Sequence, residues 1–301
     1  MGIITDKLNR IVSADENTDE LYNIFKSIDD YDLPVIRYYM KEGTLLLRQR
    51  INEKDKEFKL ISDLYCPPAD CLKTYGRANL PYHPMFYACS FPLDDKAPYP
   101  RIVTLMETSK FFREVETSGI ERSTCSRWRL KKQIELIILP FYEHYDRPCN
   151  DILEIQARWD EVVKDAKICS TAMELVDYMS AEISKQVKSH SDYFKISNFV
   201  NYLLYVNEKT KNADGVMYPS VPAAGAGFNV VLKKESADDK VEFVNASLCY
   251  LAKNKLESYL MVVNYSTDVN EDGVITYTPL VTDVEELKRY NNIAQGQVFV
   301  N

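Results

Sequence analysis

The chain has 301 residues, 46% of them hydrophobic, with 37 basic against 45 acidic residues and a formal charge of −8. That length can bury a full core, as one large domain or two modest ones. The acidic balance, unbroken by any Lys/Arg block, speaks against sequence-independent nucleic-acid binding, which requires a basic face to neutralise phosphates.

Seven cysteines at positions 66, 71, 89, 125, 149, 169 and 249 form no CxxC pair, so reduced, buried thiols are expected rather than disulfides or a zinc site. No basic region precedes an apolar run at the N-terminus, and no stretch holds eighteen consecutive apolar residues. The expectation is a cytoplasmic protein with no membrane partner and no direct nucleic-acid partner.

Residues 1–43 read as a helical preface. Thr18 is placed to cap a helix whose apolar positions Leu21, Ile24, Phe25 and Ile28 recur at helical spacing. A strand is expected over 44–50, where Arg48 and Arg50, two apart, point to one face. Residues 64–90 turn loop-like, with Pro67-Pro68 and then Tyr75-Gly76-Arg77-Ala78-Asn79-Leu80-Pro81, before Met85-Phe86-Tyr87-Ala88 gives a short buried strand. An irregular connection of that length inside a compact domain is usually functional, and Arg77 and Asn79 are the polar groups it offers.

Ile102, Leu105, Met106 and Phe112 fall at helical spacing, although Ile102-Val103-Thr104-Leu105 equally suits a strand; on the helical reading Glu107 lies at the margin of the apolar face. A strand is expected over 135–141, ended by Pro140. Sixty helical residues follow. Asn150 is placed to cap a helix burying Ile152, Ile155, Trp159, Val162 and Val163. Thr171 and Glu174 suggest a capping box for a second, and Phe199, Val200, Leu203 and Leu204 belong to a third.

Gly215-Val216-Met217-Tyr218-Pro219-Ser220 then gives a strand ending in a Pro-constrained turn with a free hydroxyl. The following Ala223-Ala224-Gly225-Ala226-Gly227 is too small to obstruct a ligand near the backbone. The rest, to residue 300, alternates strand runs with polar turns. Asp268-Val269-Asn270-Glu271-Asp272-Gly273 opens like a calcium loop, but Pro279 occupies the twelfth position and supplies no carboxylate, so a turn between strands is expected. Gly225-Ala226-Gly227 lacks the third glycine of a dinucleotide fingerprint.

Five pieces, in order, carry a family resemblance: Leu47-Arg48-Gln49-Arg50, Gly76-Arg77-Ala78-Asn79-Leu80-Pro81, Phe86-Tyr87-Ala88, Leu105-Met106-Glu107, and Gly215 through Ser220. Together they resemble the RES-domain family, over about residues 44–235. One departure is Tyr82-His83 after Pro81, where that family commonly has a glycine.

The resemblance implies an α/β (α+β) fold with a compact ADP-ribosyltransferase-like mixed-sheet core. It implies the toxin half of a toxin–antitoxin pair that consumes NAD as substrate, with no further cofactor and no metal. The partner it implies is a small helix-turn-helix antitoxin. On this reading residues 44–235 are the catalytic domain, 1–43 a helical extension, and 236–301 a β-rich extension packed on it. Arg48, Glu107 and Ser220 are the candidate catalytic residues, and Arg48, Arg50, Arg77, Asn79, Tyr87 and Tyr218 the candidate NAD contacts.

The chemistry suits these residue types independently. Breaking the nicotinamide–ribose bond develops oxocarbenium character, which a carboxylate such as Glu107 stabilises. A diphosphate is matched by the guanidinium forks of Arg48 and Arg77. Tyr87 is suited to stack on nicotinamide, and Ser220 to hydrogen-bond the substrate or an attacking phosphate. Phosphorolysis, hydrolysis and ADP-ribosyl transfer to a protein remain open, as does a non-catalytic nucleotide-binding module.

Overall fold

A computed structural model describes residues 2–12, 17–28, 33–53, 56–90, 100–138, 150–165, 169–280 and 288. Two helices, α1 (Ile3–Arg10) and α2 (Thr18–Lys26), precede strands β1 (Ile36–Met40) and β2 (Leu45–Ile51). Then come a short helix α3 (Ile61–Leu64), β3 (Met85–Ser90), α4 (Pro100–Thr108), α5 (Lys110–Arg113), β4 (Gly119–Leu130) and β5 (Ile134–Ile138). Helices α6 (Asn150–Asp165), α7 (Ser170–Ser184) and α8 (Phe194–Asn201) lead to β6 (Gly215–Pro219) and β7 (Phe228–Lys233). Helix α9 (Lys234–Lys240) and strands β8 (Val241–Lys253), β9 (Ser258–Val269) and β10 (Ile275–Pro279) complete the described chain.

All ten strands join one mixed sheet in the order β1-β5-β6-β7-β3-β2-β4-β8-β9-β10, so the α+β class expected from the sequence is observed. Every pairing is antiparallel except β5–β6, where Leu136 stands opposite Gly215 and Ile138 opposite Met217. A parallel neighbour requires a long crossover, and α6, α7 and α8 supply it. This accounts for the block of helical sequence between the two strand-rich parts.

One pairing is much weaker than its neighbours. Strand β3 matches β7 over five residue pairs and β2 matches β4 over seven, but β2 and β3 meet only at Leu46–Ser90 and Leu47–Cys89. Beyond Leu47 they part, which opens the sheet near its middle.

A continuous hydrophobic core runs from Ile4 on α1 to Ile275 on β10. Phe25 of α2 meets Phe199 of α8 edge-on at 5.2 Å between ring centroids, and Phe86 of β3 meets Trp128 of β4 at 5.4 Å. Both extensions are therefore part of the same core as the central strands. Among the described residues no helix is long and apolar enough to cross a membrane.

Several sequence expectations need correction. Residues 36–40 form β1, an edge strand paired with β5, rather than continuing the helical preface. Asn17, not Thr18, precedes α2. Helix α7 starts at Ser170 after Cys169 without a side-chain cap, and Glu174 turns outward to accept from Thr5 N of α1 at 2.6 Å. That carboxylate thus satisfies a free N–H in the first turn of a neighbouring helix. Val163 is 37% exposed rather than inward-facing, and Cys71 is an exposed thiol. Asp268 and Val269 end β9, and residues 270–273 make the expected turn into β10, with Gly273 at a φ of 76°. Pro140 lies outside the described residues, as does Cys149.

Candidate active site

The parting of β2 and β3 is lined by a cleft of about 300 Å³. Its floor is one cross-strand row: Leu47 of β2 opposite Cys89 of β3, Cys89 opposite Asn229 of β7, and Asn229 opposite Tyr218 of β6. Side chains directly opposite one another share a face of the sheet, and all four line the cleft.

Arg48, next along β2, belongs to the other face. It reaches the cleft through the gap, where Nη1 donates to Tyr87 O at 2.8 Å and Nε to Leu64 O at 3.1 Å. The guanidinium therefore occupies the opening and satisfies a carbonyl that a continued β2–β3 ladder would have paired. Burial pushes Arg48 down to about 10, which leaves it cationic at neutral pH. Arg50 shares its face, as the strand periodicity predicts, but sits 4.8 Å from the Phe58 ring centroid and donates to Asp63 O. It is not among the cleft residues.

The loop before β3 is tied to Tyr87. The phenol oxygen accepts from Ala78 N at 3.0 Å and donates to Asn79 Oδ1 at 2.8 Å, and burial pushes its pKa above the usual tyrosine range. Gly76 closes the same turn by donating to Asn79 O at 3.0 Å. A Cβ at Gly76 would stand 2.2 Å from Asn79 Oδ1, so glycine is required by close approach alone. At Tyr82 the backbone has a φ of 62°, the left-handed conformation for which glycine is the ordinary residue.

This loop holds Arg77 in a fixed pose. Its guanidinium carbon lies 5.0 Å from the Tyr193 ring centroid and 5.9 Å from that of Tyr218. Nη1 donates to Ile183 O and, at 3.1 Å, to Lys185 O, the free carbonyls at the C-terminus of α7. Among the described residues, neither Arg48 nor Arg77 has a carboxylate within ion-pair distance.

Helix α4 brings the single acidic group of the cleft, Glu107. Thr104 of α4 anchors the helix to β2, its hydroxyl donating to Gln49 Oε1 at 2.7 Å. Glu107 follows one turn later, with Oε1 accepting from Asn229 Nδ2 at 2.6 Å. A carboxylate in the last turn faces the negative end of the helix dipole, so its place is not explained by helix stability. Arg113 partly offsets this by donating to Met106 O and Glu107 O. Beyond Glu107 the cleft widens into an outer lobe of about 520 Å³, which shares Arg77, Glu107 and Tyr193 and adds Arg113, Val221 and Pro222.

Six of the eight expected residues therefore converge on one cleft: Arg48, Arg77, Asn79, Tyr87, Glu107 and Tyr218. Two stand elsewhere, Arg50 as described and Ser220. Ser220 is fully buried, and its Oγ accepts from Ala223 N at 3.3 Å as the cap of the turn between β6 and β7. The small-residue run packs that turn against α4, where Gly227, at a φ of 96°, leaves no room for a Cβ beside Val103.

Tyr193, Asn229 and Cys89 are among the cleft residues that sequence reasoning missed. Tyr193 carried no local signal. Asn229 did, as a polar residue inside the buried apolar strand Phe228–Lys233. Neither family models nor curated proteins give a match to the chain.

Proposed function

We propose that the protein cleaves the nicotinamide–ribose bond of NAD, by phosphorolysis or hydrolysis, as a cytoplasmic toxin-type enzyme of RES-domain character. The observation that carries this reading is the pairing, in one cleft, of two guanidinium groups free of carboxylate partners with a single carboxylate held on the sheet. Arg77 and Arg48 match the diphosphate, and Glu107 stands where it would fix the ribose hydroxyls and stabilise positive charge at the anomeric carbon. Tyr193 and Tyr218 add aromatic surface of the kind a nicotinamide or adenine ring stacks on. The left-handed backbone at Tyr82 supports the resemblance at the one position where the residue type departs from it.

A second reading, ADP-ribosyl transfer to a protein, is favoured by the outer lobe, which gives an acceptor larger than water a route to Glu107. On either reading a small helix-turn-helix protein covering the lobe is the partner that would silence it.

Purified protein mixed with NAD, with and without inorganic phosphate, is expected to release nicotinamide. Radiolabelled NAD added to a cell extract separates transfer from the other two fates. Neither nicotinamide release nor any labelled protein would leave a non-catalytic nucleotide-binding module as the reading, which NAD binding without turnover would identify.

A further inference from the structure

Asn229 is 6% exposed and interrupts the apolar run of β7, between Phe228 and Val230-Val231-Leu232. A buried amide is costly unless both its ends are satisfied, and here both are. Nδ2 donates to Glu107 Oε1 at 2.6 Å, and Oδ1 accepts from Cys89 Sγ at 3.3 Å. The two partners select the same amide orientation. Turned over, the carbonyl oxygen would face a carboxylate oxygen and the NH₂ group would face a thiol hydrogen.

Cys89 keeps that hydrogen, because burial and then the charge of Glu107 push its thiol well above the ordinary range. The remaining carboxylate oxygen of Glu107, Oε2, has no hydrogen bond among the described residues, and Glu107 lines both lobes.

We infer that Asn229, oriented by the Cys89 thiol, is a positioning residue that ties one oxygen of Glu107 to the sheet and presents the other to the ribose. This rests on the proposed role of Glu107, and it names two residues that act on the substrate only through it. A carboxylate free to rotate loses much of its advantage over water, since orientation in advance is what the fixed bond supplies.

The test compares Asn229→Ala, Asn229→Ser, Cys89→Ala and Cys89→Ser in nicotinamide release. Asn229→Ala is expected to lower kcat about 10- to 100-fold, the range for losing one hydrogen bond to a charged group, with KM for NAD changed less than about threefold. Cys89→Ala, which frees the amide to turn over, should lose a smaller part of kcat, and Cys89→Ser, which restores a donor, should recover most of it. Equal losses in Cys89→Ala and Cys89→Ser, or an unchanged kcat in Asn229→Ala, would overturn the inference.

A second readout needs no turnover. The ¹³C resonance of the Glu107 carboxylate, assigned by its disappearance in Glu107→Gln, should move in Asn229→Ala and Asn229→Ser and stay near its place in Cys89→Ser. If the protein does not consume NAD, this shift still reports the Asn229–Glu107 link. A resonance that does not respond to either Asn229 variant refutes that link, whatever the substrate.

Discussion

Arg48 Nη1 donates to the backbone oxygen of Tyr87 at 2.8 Å across the place where β2 and β3 separate, so one cation both closes and lines the gap in the sheet. Its second carbonyl partner, Leu64 O, belongs to α3. Replacing Arg48 with Met keeps the aliphatic stem but leaves both acceptors without their donor. At roughly 1–3 kcal/mol for each unsatisfied buried group, Arg48→Met should cost about 2–6 kcal/mol in urea unfolding. Arg48→Lys, with a single ammonium in place of a fork, should recover only part of it.

Gly76→Ala tests the loop that carries Arg77. The added methyl would stand 2.2 Å from Asn79 Oδ1 and 3.3 Å from the Tyr87 hydroxyl, so the Asn79–Tyr87 hydrogen bond must break or the loop must move. A stability loss of about 1–3 kcal/mol is expected, together with weaker NAD binding because Arg77 shifts with the loop. Tyr87→Phe should give a smaller loss with the same sign, since it removes the hydroxyl without forcing a collision.

Much of this arrangement was readable from the sequence, and the remainder failed for identifiable reasons. Helices α6 and α7 follow from periodicity, because each buries apolar residues at helical spacing, whereas β2, β3 and α8 show as short apolar runs, Leu203 and Leu204 falling in the turn after α8. Strand β4 went unread although it lies between β2 and β8, because its centre is polar. Ser123, Thr124 and Ser126 are buried there, satisfied by Gln49, Asn52 and the backbone oxygen of Arg48. Alternation of apolar and polar residues cannot reveal a strand whose inward groups are hydroxyls with partners far away in sequence. The same holds for the site. Arg48, Arg77 and Glu107 were marked by residue type and local pattern, whereas Tyr193 meets Arg77 only through the fold, 116 residues away. Ser220 misled because a hydroxyl after Pro219 is equally suited to cap a turn, which is its role.

The buried thiols make the fold sensitive to alkali. Burial pushes Cys66 and Cys125 up to about 11 and Cys249 to about 12, from an ordinary value of 9.0. Below pH 9 all three are protonated in both the folded and unfolded chains, and their contribution to stability is fully present. Between pH 9 and 11 the unfolded chain releases thiol protons that the folded chain retains, so stability falls as pH rises. Unfolding free energies from urea titrations should drop steadily from about pH 9 to 10.5, by up to about 1.4 kcal/mol per thiol per pH unit. Cys125→Ala should make the decline shallower. An unchanged slope in that variant would show that other groups dominate the alkaline transition.

Arg77→Lys separates charge from shape. Lysine keeps the positive charge, but a single ammonium cannot lie flat between Tyr193 and Tyr218 while serving two carbonyls at the end of α7. NAD affinity measured by calorimetry is expected to fall about tenfold or more, consistent with the loss of a bidentate contact to phosphate and of stacking on two rings. Nicotinamide alone, which carries no diphosphate, should compete equally well in both proteins. If Arg77→Lys binds NAD as tightly as the parent, the diphosphate lies elsewhere in the cleft.

Glu107→Gln is the sharpest test of the chemistry, because the geometry predicts that it folds. The glutamine Oε1 can still accept from Asn229 Nδ2 where Glu107 Oε1 does now, at 2.6 Å, so the contact between α4 and β7 survives. Glutamine is also a better neighbour for the negative end of the α4 dipole, which favours an unchanged or slightly raised melting temperature. What disappears is the negative charge that the proposal sets against the anomeric carbon. Removing one preorganised electrostatic group from a transition state costs about 10²- to 10³-fold in kcat, and nicotinamide release should fall by that amount. NAD binding, which the proposal assigns to Arg48, Arg77 and the tyrosines, should stay within about threefold. A Glu107→Gln protein that turns NAD over at the parent rate would move the reaction away from this carboxylate, and one that no longer binds NAD would make Glu107 a ground-state contact instead.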